Sequence, residues 1–433
     1  MCLMSSSALP ALDEDALYAK VTWRLIPFLY LCYVAAYLDR VNVGFAKLTM
    51  ASDLRFSDTV YGLGAGVFFL GYFLFEVPSN LLMHRIGARL TMARIMILWG
   101  LISASTMFVS SPGMFYAMRF LLGMAEAGFF PGVVLYLTYW YPAQRRGRAQ
   151  TLLVTGVAVA GVLGNPVSGW IMESTHGAHG LQGWQWLFLL EGLPSVLLGL
   201  LAFRYLDNSV AESKWLTPDE RAVLTANIAK EAAEKSTTDA MHALRDGRVW
   251  LLALIYFCLA SGLYGVNFWL PTIVKGMGIT DLEQIGLVSA VPWLAAAFAM
   301  VAVARSADLR RERRYHVAVP ALLGAVGLAA SVPLAGHPVA AIAALALGTC
   351  GLLSSIPLCW SLATAFLGGA GAASGIALIN SFGNLSGFAA PYLMGFIRER
   401  TGSTDLAMYT LAAVLALGAV LVLTRVPAAL VNR

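Results

Sequence analysis

Asp39 and Arg40 stand side by side well inside a hydrophobic run long enough to cross a bilayer, and Arg119 and Glu126 lie within another. A charged side chain at the centre of a membrane helix costs about 2.5–3.5 kcal/mol on insertion scales, and a chain this apolar does not need four of them to fold. Their chemistry is complementary. Arginine offers a planar fork that grips both oxygens of a carboxylate. A buried carboxylate takes or gives a proton according to the burial and charge around it. These four residues predict a water-accessible site for a charged solute and a proton.

Helical spacing supplies their neighbours. Arg119 and Glu126 are seven residues apart, two turns on one face and roughly 10 Å along the axis, with Tyr116 on the near side. That face must point into a bundle, because lipid cannot solvate it. Ion pairs within one helix prefer spacings of three or four, so Glu126 reads as a proton carrier; a structural intramembrane ion pair is the plainer alternative. Tyr33, Tyr37 and Arg40 stack at offsets of four and three. Arg40 reads as the anchor for a substrate anion, with Tyr37 beside it as a donor; snorkelling of Arg40 to an interface is the alternative. Asp39 diverges from Arg40 by about 100° and reads as a second titratable group.

Other polar residues in apolar runs divide by position. Glu76, in FEVPSN, lies near the basic stretch 84–94 and suits a gating salt bridge. Glu191, in WLFLLEGLP, fits either a structural or a functional role. Later runs hold almost no charge but contain Tyr264, Asn267 and Trp269, then Trp360, then Asn380 and Asn384. Tyr264 and Asn267 are three apart and the two asparagines four apart, so each pair shares a face. Neutral amides and aromatics hydrogen-bond hydroxyls or pack on rings without adding charge. The first part of the chain would handle ions and the second would read the body of the substrate; ordinary packing is the alternative for each residue singly. The histidines fall in loops or at run ends and mark no site.

The elements that must position these residues follow from composition. Of 433 residues 59% are hydrophobic and 12% charged, with mean hydropathy +0.72, against about 25% charged in a soluble domain. Apolar windows of membrane length centre near residues 35, 71, 100, 124, 161, 195, 260, 295, 325, 350, 384 and 414. The fold class is thus an all-α membrane protein of twelve transmembrane helices. Asp13, Glu14 and Asp15 precede a first run too long for a secretory h-region, so that helix is expected to be retained. Placing both termini in the cytoplasm puts 22 Lys and Arg inside against 5 outside (Lys47, Arg55, Lys275, Arg398 and Arg400), which the positive-inside rule favours. The expected plan is a cytoplasmic N-terminus to 24, a six-helix bundle over 25–206, a cytoplasmic linker over 207–247, a second bundle over 248–426 and a tail. Thr217-Pro218 opens a helix-forming stretch within the linker.

The two bundles read as copies. Pro131 and Pro166 are 35 residues apart, Pro357 and Pro391 are 34 apart, and Gly169-Trp170-Ile171 and Gly395-Phe396-Ile397 each begin 38 residues after the first proline. Parallel repeats of six helices place a site near the midplane between halves. No GxxxxGK[ST], HExxH or zinc spacing occurs, and the five cysteines are scattered. Neither cofactor nor enzyme activity is expected, and the basic clusters flank membrane runs, with no nucleic-acid motif.

LDRVNVGFA (38–46), GYFLFEVPSNLLMHRIGAR (71–89), MRFLLGMAEAGFFPGVVLYLTYWYP (118–142) and WQWLFLLEGLP (184–194) resemble the anion:cation symporter family of the major facilitator superfamily, the tartrate, phthalate, galactonate and hydroxyphenylacetate type of organic-acid permease. The resemblance covers nearly the whole chain. It implies a monomeric inner-membrane symporter taking up a small carboxylate with protons, with two six-helix halves related by a pseudo-twofold axis. It also implies proton coupling at Asp39 and Glu126, and substrate contacts from Arg40, Tyr72, Arg119, Asn380 and Asn384. The expected contact set is completed by Tyr37, Tyr264, Asn267 and Trp360, and the gating set is Glu76, Arg85, Arg89 and Asp308. His84 departs from the superfamily pattern, which has an aspartate before the arginine of that loop. A proton-coupled efflux antiporter and a non-transporting sensor are the alternatives.

Overall fold

The computed structural model describes residues 13–234, 245–367 and 372–432. Much of the stretch 366–371, expected from the orientation above to be an uncharged cytoplasmic loop, part of the linker and the His84 side chain lie outside the described residues. All regular structure among the described residues is helical. Spans 1–6 are Glu14–Asp53, Asp58–Ile86, Ala88–Phe108, Pro112–Thr138, Gln144–Ser174 and Gly183–Tyr205. Spans 7–12 are Gly247–Gly276, Leu282–Arg310, Arg314–Ser331, Pro338–Leu367, Ala372–Thr401 and Asp405–Arg425. Among the described residues ten of these helices are long and apolar enough to cross a membrane; Arg314–Ser331 and Ala372–Thr401 are the two others of the twelve expected. Large apolar side chains such as Leu197, Leu201, Phe298 and Val326 are exposed on the outer surface, as lipid-facing positions require.

Local signals start the spans. Ser57 accepts a hydrogen bond from the Val60 backbone N–H, Ser111 from Met114 with Pro112 in the first turn, and Asp281 from Gln284; each satisfies a backbone donor that a helix start otherwise leaves open. Span 4 is broken where the sequence pattern reads as continuous. Its first helix ends at Glu126, Ala127 is extended, Gly128 takes φ 86°, and a second helix resumes at Phe129. A side chain at Gly128 would be strained by that φ and would meet Ser79. Irregular backbone at membrane depth survives only inside protein or beside a cavity.

The halves meet where span 2 packs on span 11, span 5 on span 8, and the end of span 1 on span 7. Adding six to each span number exchanges the first two contacts, as a twofold between copies demands. The tightest approaches lie at the end of the bundle away from both termini. There a Cβ on Gly62 would sit 2.5 Å from the Pro391 carbonyl oxygen, so glycine is what lets the two backbones close.

The same end revises the reading of Lys47. Counted above as an outer loop charge, it is only 4% exposed, because span 1 continues as helix to Asp53. Its Nζ lies 2.7 Å from Asp58 Oδ1 and 3.6 Å from the centre of the Trp269 ring. In the linker, the helix Pro218–Glu234 begins with a reciprocal cap: Thr217 N–H donates to Glu220 and the Thr217 hydroxyl accepts from Glu220 N–H. It docks on span 1 through Lys20–Glu220, 2.8 Å, and Asn227 to the Tyr18 hydroxyl, 3.3 Å.

Candidate functional site

The four charges of spans 1 and 4 come together, in a pairing that the sequence leaves open. Arg40, not Arg119, forms the ion pair with Glu126. Arg119 donates instead to the Arg40 backbone carbonyl at 3.3 Å, steadying span 1 where it carries the guanidinium. The seven-residue offset that disfavours an Arg119–Glu126 bond is thus resolved between helices. The Arg40 side chain is 14% exposed and Glu126 1%. The pair is incompletely satisfied: Arg40 Nε, Glu126 Oε2, and Arg119 Nε and Nη1 are buried without a hydrogen-bond partner.

Aromatic rings enclose it. The Arg40 guanidinium lies 5.8 Å from the Tyr37 ring centre, 5.3 Å from Phe68 and 5.4 Å from Tyr72, and Arg119 lies 5.0 Å from Phe68. The second half closes over this wall. Tyr264 packs on Phe69 with ring centres 4.5 Å apart and faces Arg40, while the Asn267 amide donates to the Tyr37 hydroxyl at 2.6 Å. Trp360 packs against Tyr256, 4.7 Å between centres, and keeps partial exposure deeper in span 10.

Asp39 faces elsewhere. It has no exposed surface and accepts three hydrogen bonds, from Trp99 Nε1 at 3.0 Å, the Ser103 hydroxyl at 2.6 Å and the Ser195 hydroxyl at 2.5 Å. It lies inside the first half between spans 1, 3 and 6, turned from Arg40 by the angle between adjacent helical residues. The sequence reading missed its partners, although Trp99 and Ser103 are four apart and share a helix face.

The expected gating set does not converge among the described residues. Glu76 is 8% exposed and accepts from the Asn380 amide of span 11 at 3.1 Å, with Asn384 beside it. A neutral amide across the halves thus takes the place expected for a basic loop. Arg85 and Arg89 are exposed at the end of span 2 and the start of span 3, and Asp308 is exposed at the end of span 8. The charged network that does join the halves lies at the opposite end. Arg398 Nη1 donates to Asp58 Oδ1 at 2.6 Å, Glu399 accepts from Thr59 N–H at 2.8 Å, and Lys275 donates to the Leu48 carbonyl at 3.1 Å.

Two six-helix halves related by a pseudo-twofold axis, with an under-satisfied ionic pair of the first half at their contact, describe a membrane transporter. The chain belongs to the Major Facilitator Superfamily, whose profile matches residues 29–391; it is a multi-pass membrane transporter of a small molecule and not an enzyme. It is 49% identical to the "Putative metabolite transport protein NicT" of Pseudomonas putida, over 96% of each chain. It is 47% identical to a "Putative tartrate transporter" of Agrobacterium vitis, over 95% of this chain and 94% of the relative. A "Quinolone resistance transporter" of Acinetobacter baumannii is 43% identical over 94% of both. The xylose transporter XylE of E. coli has the same fold, with TM-score 0.75 at 14% identity over 94% of this chain and 98% of that one.

Proposed function

We propose that the protein takes up a small organic carboxylate across the inner membrane together with protons, with both termini in the cytoplasm. The observation that carries this reading is the Arg40–Glu126 pair, buried between the halves and short of hydrogen-bond partners. Such a pair is an exchange site. When Glu126 is protonated, its hold on the guanidinium weakens, and an incoming carboxylate takes its place, with the guanidinium fork free to grip both of its oxygens. When the anion leaves, Glu126 gives up its proton and pairs with Arg40 again. Proton and anion are thus required together, and the net charge change on loading is small.

Tyr37, Tyr72, Arg119 and Tyr264 shape the chamber around the anion, while Asn267, Trp360, Asn380 and Asn384 read the rest of the substrate. Asp39 is the second proton site. The tartrate name of a close relative supports a hydroxylated acid, whose hydroxyls the amides of the second half can meet. The resistance transporter among the relatives favours a second reading, efflux in exchange for protons.

The test is uptake into proteoliposomes of a labelled carboxylate panel that includes tartrate. Wild-type protein accumulates a member of the panel under an inward proton gradient. Glu126→Gln loses that accumulation and keeps substrate exchange at zero gradient. Unchanged accumulation in the variant removes Glu126 from the mechanism, and wild-type depletion of preloaded vesicles selects efflux.

A further inference from the structure

Glu76 brings a second carboxylate to the chamber of Arg40, and one of its oxygens is open. It lies one turn after Tyr72 on the same face of span 2, and the Tyr72 ring centre is 5.4 Å from the Arg40 guanidinium. Arg40, Tyr72 and Tyr264 are all within electrostatic reach of Glu76. Leu74 and Val77, close to it in sequence, are exposed. Span 2 thus gives its apolar face to lipid and turns the carboxyl toward the contact of the halves.

That carboxyl is half satisfied. Oε1 accepts from the Asn380 amide of span 11 at 3.1 Å, whereas Oε2 is buried without a partner. Asn384, one turn further along span 11, stands beside it without completing a bond. A buried carboxylate oxygen without a donor is costly, so Oε2 calls for a donor from a ligand. The surrounding charge says which kind. With Glu76 ionised, the guanidiniums of Arg40 and Arg119 are balanced by the carboxylates of Glu126 and Glu76, and the empty chamber is neutral. One anion entering with one proton keeps it neutral. An acid that also carried an ammonium group would leave it positive. The donor that fits is a hydroxyl.

We infer that Glu76 is a specificity-determining residue whose free oxygen accepts a hydrogen bond from the substrate, so that the transported acid is a hydroxy acid held at Arg40 by its carboxylate and at Glu76 by a hydroxyl. The inference rests on the carboxylate reading above and adds the donor that the acid must carry. Asn380 positions the acceptor, because its amide holds Oε1 and so fixes the direction of Oε2. Discrimination follows, since an acid of the same shape without the hydroxyl leaves Oε2 buried and unpaired. The plainer role for Glu76 is a brace that joins spans 2 and 11 through Asn380.

Binding to the purified protein, read as the concentration dependence of ligand-induced thermal stabilisation, separates the two roles. The probes are matched acids: tartrate and succinate, glycerate and propionate, gluconate and hexanoate, each pair alike but for its hydroxyls. In wild-type protein the pair that binds most tightly should favour its hydroxylated member about tenfold or more, the worth of one hydrogen bond to a charged group. Glu76→Gln keeps the shape and an oxygen for the Asn380 amide. It should weaken the hydroxylated member about tenfold and leave the bare acid where it was, because the grip of Arg40 is untouched. Glu76→Asp, which keeps the charge, should retain part of the preference. No preference in wild type, an unchanged preference in Glu76→Gln, or equal weakening of both members, as loss of a brace would give, overturns the inference. If none of the acids binds wild-type protein, the carboxylate reading itself fails, a result distinct from acids binding without regard to their hydroxyls.

Discussion

Two ionic assemblies lie at the contact of the halves, and they differ in whether their charged partners come from both halves or from one. At the closed end, Asp58 Oδ1 is shared by Lys47 of span 1 and Arg398 of span 11, and Lys47 rests on the Trp269 ring of span 7. Arg398 and Trp269 belong to one half, Lys47 and Asp58 to the other. At the centre, Arg40 and Glu126 belong to the same half and leave four polar atoms around them unpartnered. A network whose charged partners come from both halves holds the halves in one conformation. A pair confined to one half with spare valences can accept a ligand and survive rocking of the halves. Burial alone does not distinguish a gate from a binding site; the partners do.

The comparison breaks first at the centre. Arg40→Ala leaves Glu126 buried without its cation, a loss of about 3–5 kcal/mol when one member of a buried pair is removed. Uptake and binding of every carboxylate in the panel are expected to fall to background. Wild-type affinity by ligand-induced thermal shift would make the central pair as structural as the outer one. At the closed end Arg398→Ala should leave binding intact but release the lock. Losing a hydrogen bond to a charged group costs about 1.5 kcal/mol, roughly tenfold in the closed-to-open ratio. A cysteine placed at Thr272 should then react faster with an impermeant maleimide added from the end away from the termini. An unchanged labelling rate would show that glycine packing, as at Gly62 against Pro391, holds that end without the ions.

What could be read from residues alone follows the range of the physics. Long apolar windows are local and periodic, so the all-helical membrane class, ten apolar spans and the charges of spans 1 and 4 held inside the bundle were legible. Pairing is not local. Arg40 and Glu126 are 86 residues apart, and nothing in either helix says which arginine wins. The divergence of Asp39 from Arg40 followed from helical rotation, but its partners Trp99, Ser103 and Ser195 lie on spans 3 and 6, which no local pattern points to. Lys47 was misplaced because a span extended beyond its apolar window hides the charge at its end. The break after Glu126 left one signal, Gly128, in a segment rich in other glycines.

The smallest effect is expected at the linker helix, on the face that carries the termini. Burial works against the charge of Glu220, but hydrogen bonds from Lys20 and Thr217 outweigh it and hold the carboxyl below its ordinary value of 4.5. A depressed carboxyl stabilises the docked helix above its ordinary pKa, and the contribution disappears as the pH falls through the lowered value. An exposed pair of this kind contributes about 0.2–1 kcal/mol, less at high salt. Glu220→Gln should therefore loosen the helix slightly at neutral pH, seen as faster amide exchange over 218–230, and abolish the further loosening that acid causes in the wild type. Transport should be unchanged. A marked loss of uptake in Glu220→Gln would give the linker a part in the rocking of the halves and add a third ionic contact, outside the bundle, to the two compared above.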